Sequence, residues 1–154
     1  MDALKQKILI QQLDRKLEKF RILENELIPQ EGWIYTIRQA IRMSLRQLGE
    51  KLGLSLQGVR KIEISEKEGS ISIKKLNAIA NILNMKFIYG FIPNDGSIEK
   101  MIEKKVCEIA ESIVNRTSKT MSLEDQEVSE ERIIEAIKER AKLIKDKMPR
   151  YLWD

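Results

Sequence analysis

The stretch Ser44–Glu63, SLRQLGEKLGLSLQGVRKIE, constrains this chain more than any other, because it is written for two short helices meeting across a tight turn. Such a crossing sets demands at fixed spacings. Leu48 and Leu52 fall on the inner face of the first helix, and Val59 and Ile62 on that of the second. Gly49 supplies the smallest residue where the two backbones touch, and Gly53 tolerates the positive φ of the turn. Leu54 is placed to plug the turn from below. Ser44 and Ser55 stand where the two helices need N-caps. Any one of these is weak evidence, but together they specify a helix-turn-helix.

The outward positions say what such a pair is for. Beyond Ser55 they are Leu56, Gln57, Arg60 and Lys61, with no acid before Glu63. When the second helix of this motif enters a DNA major groove, its N-terminal residues meet base edges. Gln57 suits a bidentate bond to adenine, Arg60 or Lys61 reaches guanine or phosphate, and Leu56 suits a thymine methyl. Ser44, Arg46, Gln47 and Ser55 lie at helix starts, where backbone N–H groups favour phosphate. The same hairpin occurs in proteins that bind no DNA, and the acid-free outer face argues against that alternative. Gly58 has two readings: close approach to a base, or tight packing on the preceding helix.

Around this motif the chain reads as mainly α. Residues 2–27 form an amphipathic pattern, with Leu13, Leu17, Phe20, Leu23 and Leu27 three or four apart, ended by Pro29. A helix over 33–41 buries Ile34, Ile37 and Ile41. The motif's helices follow, from Ser44 to Gly53 and from Ser55 to about Ile64. Another helix runs from Ser72 to Asn84, with Leu76, Ile79, Ala80 and Leu83 inside. Then the period changes: Phe87-Ile-Tyr-Gly-Phe-Ile-Pro93 is β-prone and bounded by Pro93-Asn-Asp-Gly96. A lone strand needs a partner, so Phe87, Ile88, Tyr89, Phe91 and Ile92 are expected at a dimer interface, antiparallel to a second copy. A buried extended segment is the alternative, and helix 2–27 ranks second as a dimer element.

Ser97 caps the next helix, with Ile98, Met101, Ile102, Val106, Ile109 and Ile113 on one face. Ser122 with Asp125 has the form of a capping box, and Ser129 is an alternative start. The last helix reaches about Lys147 and buries Ile133, Ile134, Ile137, Ala141 and Ile144 before Pro149 stops it. The expected domains are residues 1–28 as an N-terminal helix, 29–93 as the DNA-binding domain, and 94–154 as a helical extension.

Composition narrows the function. With no histidine and one cysteine, Cys107, the chain lacks a zinc-ligand set and the usual general base, so no metal, cofactor or catalytic residue is expected and Cys107 reads as packing. No apolar run approaches the about 18 residues of a membrane span, and the start lacks a signal pattern, so a cytoplasmic protein is expected. The net charge is +4. Its surplus sits in residues 29–95, which hold 10 basic and 6 acidic groups. Local positive charge is what counterion release from DNA rewards.

Residues 33–92 resemble the lambda-repressor-like, or XRE-type, domain. The whole chain is more narrowly similar to the bacterial family "mobile mystery protein A". That likeness rests on Gln12-Leu-Asp-Arg-Lys-Leu17, Gly32-Trp-Ile34, the central motif, Phe87–Pro93, Thr120-Met-Ser-Leu-Glu-Asp-Gln126 and Leu152-Trp-Asp154. The resemblance implies a bacterial regulator encoded on mobile elements beside a Fic-domain protein, with an autorepressor or antitoxin role. It also raises the alternative of an antitoxin that mainly sequesters the Fic enzyme. Inhibitory motifs of Fic antitoxins pair Ser or Thr with a Glu four positions on, then Gly or Asn. Thr120…Glu124 comes nearest but continues with Asp125, and Ser65-Glu-Lys-Glu-Gly69 is one residue short. Double-stranded DNA with an inverted repeat, a second copy and a Fic-domain protein are thus the expected partners.

Overall fold

A computed structural model describes residues 2–123 and 129–154. The described residues are helical, with α1 Ala3–Glu18, α2 Trp33–Ala40, α3 Leu45–Leu52, α4 Leu56–Glu68, α5 Ile73–Ile82, α6 Ile98–Leu123 and α7 Glu130–Lys147. Short 3-10 turns at Arg21–Leu23 and Arg150–Trp153 complete them. The chain divides into two compact units, Asn25–Tyr89 and Met1–Glu24 with Gly90–Asp154.

The middle unit closes around Ile34, Leu48, Val59, Ile62 and Ile79, one or two residues from each of α2 to α5. Leu48 and Val59 are wholly buried. Truncating such a residue costs about 2–5 kcal/mol, so these few side chains hold the motif together. Helix ends follow local chemistry. Ser44, Ser55 and Ser72 cap α3, α4 and α5 through the N–H groups of Gln47, Gly58 and Lys75. Gly53 ends α3 at φ 67°. α4 runs past Ile64 to Glu68, because the first residue able to end it at low cost is Gly69, at φ 78°. Ile41 is half-exposed rather than buried, since α2 ends before it and the chain turns at Arg42 with φ 58°.

The terminal unit is an antiparallel α6–α7 hairpin with α1 against α6. Its core is Ile102, Val106, Ala110, Ile144 and Leu152, so the returning C-terminal turn plugs the hairpin. Ser97 caps α6 through the N–H of Lys100. Asp14 of α1 also accepts from Ile98 N at 2.7 Å and Glu99 N at 3.2 Å. Ser129 caps α7, which realises the alternative start; Ser122 lies within α6, and Asp125 of the expected capping box lies outside the described residues. Ile134 is 55% exposed rather than buried, as the turn of α7 that carries Ile133 and Ile137 inward carries it out. Cys107 is exposed, not a packing residue.

Two further expectations need correction. The first helix stops at Glu18, not near residue 27, and leaves Leu23 and Leu27 exposed. The break brings Phe20 against Gly90, where an added Cβ would stand 2.7 Å from the ring. The second concerns the strand: among the described residues none is present. Residues 86–92 are irregular, and no backbone group among them bonds to another described segment. The physical reason is simple, since the described residues contain no second strand with which to form a ladder.

Candidate nucleic-acid interface

α4 presents two faces of opposite character. Val59, Ile62 and Glu63 are buried, whereas Leu56, Gln57, Arg60 and Lys61 are exposed. Neither Arg60 nor Lys61 forms an ion pair among the described residues. The first turns of α3, α4 and α5 contain no acid, so their helix dipoles are uncompensated by carboxylate.

The turn geometry explains the small residues. A Cβ on Gly49 would lie 2.6 Å from the Leu54 carbonyl oxygen, so no larger residue fits where α3 meets the turn. A Cβ on Gly58 would lie 3.3 Å from Leu54 Cβ and 3.4 Å from Ser55 Oγ. Gly58 therefore sits against the turn, and the atoms nearest it belong to Leu54 and Ser55 rather than to the preceding helix α3. Leu54 itself is 41% exposed, and it is its backbone rather than its side chain that plugs the crossing.

Ser44 and Gln47 form a reciprocal capping box: Gln47 N donates to Ser44 Oγ at 3.1 Å, and Ser44 N to Gln47 Oε1 at 2.8 Å. Ser55 Oγ accepts from Gly58 N at 3.1 Å. Arg46 extends into solvent with a weak exposed pair to Glu50 at 3.3 Å. A groove of about 530 Å³ brings Ser44, Arg46, Leu56 and Arg60 together with Tyr35 and Gln39. Gln57 and Lys61, one helical turn apart, do not line it.

Beneath this groove lies a buried ion pair. Arg38 of α2 donates to both carboxylate oxygens of Glu63, with Nη2–Oε2 at 3.2 Å, and its Nη1 donates to the Met43 carbonyl at 3.0 Å. Both side chains are more than nine-tenths buried, and the Tyr35 ring lies 5.4 Å from the guanidinium. The pair ties α4 to α2 and to the chain entering α3. Its signal was present: Arg38 follows Ile34, and Glu63 follows Val59, each by one turn on an inward face.

No curated protein and no solved structure matches the chain. Residues 34–89 match the family model for the helix-turn-helix, which spans α2 to α5 and the start of the segment after them. Over those residues the chain is thus similar to the helix-turn-helix family.

Proposed function

We propose that the chain is a sequence-specific DNA-binding regulator of transcription that acts as an autorepressor. The observation that carries this reading is the outer face of α4: Leu56, Gln57, Arg60 and Lys61 are exposed just beyond a serine cap, with no acid among them. In this role Gln57 and Lys61 read base edges, while Leu56 and Arg60 contact bases along the groove shared with α3. Arg46, with the capped N-termini at Ser44–Gln47 and Ser55, holds phosphate. Protein titrated against DNA from its own promoter in a gel shift tests the proposal. Saturable binding that resists random competitor DNA and weakens steeply with salt is expected; equal affinity for random DNA would refute specific readout.

The active species in this reading is a two-fold dimer. Ile88, Tyr89 and Phe91 are 59–77% exposed, and the backbone around them has no partner among the described residues. Antiparallel pairing of residues 87–92 between copies would cover Phe87, Ile88, Tyr89, Phe91 and Ile92 and satisfy those groups together. Similarity to mobile mystery protein A adds a Fic-domain partner to the proposal. Of the two candidate inhibitory motifs, Ser65–Gly69 has a structural use, since Glu66 accepts from the Trp33 and Ile34 N–H groups. Thr120…Glu124 extends outside the described residues. Co-expression with the neighbouring Fic-domain protein tests that part: a stable complex is expected, and independent elution of the two would remove it.

A further inference from the structure

The core of the terminal unit is not sealed. Between α1, α6, α7 and the C-terminal turn lies a cavity of about 890 Å³, within the range of about 300–1,000 Å³ that small-molecule sites occupy. Its apolar lining includes Leu4, Ile10, Ile102, Met148 and Trp153, of which Ile102 belongs to the core and Ile10 and Met148 pack against it. Water on such a surface gains little, and an apolar ligand body there removes it from solvent.

The polar lining is lopsided. Five cations, Lys7, Lys142, Lys145, Lys147 and Arg150, line the cavity with only two acids, Glu99 and Asp146. Lys145 is already engaged, by Glu103 at 2.6 Å and Glu99 at 3.6 Å. The other four form no ion pair among the described residues. Cations in the last turn of α7 also suit its dipole, but that accounts for neither Lys7, in the second turn of α1, nor Lys142, more than a turn from the end of α7. Backbone strain falls at the same place. Met148 takes the left-handed conformation at φ 43°, ψ 57°, where glycine would sit without cost, yet its side chain lines the cavity.

We propose that this cavity binds an amphipathic carboxylate, its head held by Lys7, Lys142 and Arg150 and its apolar body on Ile10, Ile102 and Met148. The site goes beyond the DNA-binding reading and does not depend on it. It gives the regulator a place for a small-molecule signal of fatty-acid or aryl-acid type.

The test uses the full chain without DNA, carrying Trp33→Phe so that Trp153, at the cavity, is the sole tryptophan. Decanoate, decyltrimethylammonium and acetate are titrated separately below micelle-forming concentrations, with Trp153 emission as the readout. Decanoate should give a saturable shift, while the cation of equal tail and the tailless acid give none. Lys7→Glu with Lys142→Glu, both exposed positions, should weaken decanoate by about tenfold or more, the worth of a charged hydrogen bond. Helicity and thermal midpoint, measured on the same sample, establish that this variant is folded. No saturable response to decanoate, equal binding of the two long-chain amphiphiles, or undiminished affinity in a folded double variant would each overturn the proposal. Promoter binding is measured separately, so failure of one reading leaves the other standing.

Discussion

At the scale of single residues, the outer and inner faces of α4 make opposite demands. Gln57 is exposed and not needed for folding, so Gln57→Ala should leave stability unchanged. It should weaken promoter binding by about 1–3 kcal/mol and relax preference at one base position. Selection from random DNA measures this, and an unaltered preference would take Gln57 off the reading surface. Arg46→Ala should instead weaken binding to every sequence and flatten the salt dependence by roughly one phosphate contact. Its pair with Glu50 is exposed and offers little competition. Glu63→Ala belongs to the inner face. It strands the buried guanidinium of Arg38, and loss of about 3–5 kcal/mol in urea unfolding is expected. Replacing Arg38 and Glu63 together by apolar residues of similar size should recover much of that loss. If Glu63→Ala alone is neutral, the pair is not what locks α4 to α2.

At the scale of elements, what could be read from the sequence was whatever a few neighbouring residues decide. Ser44, Ser55, Ser72, Ser97 and Ser129 each bond to an N–H three residues on, and Gly53 ends α3 by its own backbone freedom. These features set the scaffold of the candidate interface, and spacing alone reveals them. Features closed by distant chain did not show. Arg38 and Glu63 are 25 positions apart, and neither residue names its partner. The leucines beyond Glu18 kept helical spacing, but the helix ends there, and the Phe20 ring lies against Gly90, 70 positions away. Asp14 is the clearest case, because it caps a helix that begins 84 residues later. Asp14→Ala should cost about 0.5–2 kcal/mol, as lost caps do, and Ser97 will not compensate because it serves a different N–H. Thermal unfolding measures it. A midpoint equal to that of the unaltered chain would show that α1 is held to α6 by apolar contact alone.

At the scale of the whole molecule, the question is how many copies act. One recognition helix touches only a few base pairs, and a single small module rarely reaches the specificity that a genome demands. Two copies reading half-sites about 34–36 Å apart would supply it, with the two-fold axis matched to an inverted repeat. The sequence suggested a strand at 87–92, and the single chain contains no ladder there. The proposed pairing is compatible with this, because a symmetric ladder would form only when a second copy arrives. The unpaired backbone and the exposure of Phe91, at 77%, are what an unoccupied edge would present. Tyr89→Pro removes one N–H from the proposed ladder and fixes φ near the value proline requires. Residue 89 lies outside every helix and contributes no buried side chain, so helicity should be unchanged. Sedimentation should shift from dimer toward monomer, and promoter affinity should fall with it, while binding to one half-site at high protein concentration persists. A variant that remains fully dimeric would exclude the strand and move the interface to the exposed apolar residues of α1, Leu4, Ile8, Leu9 and Leu13.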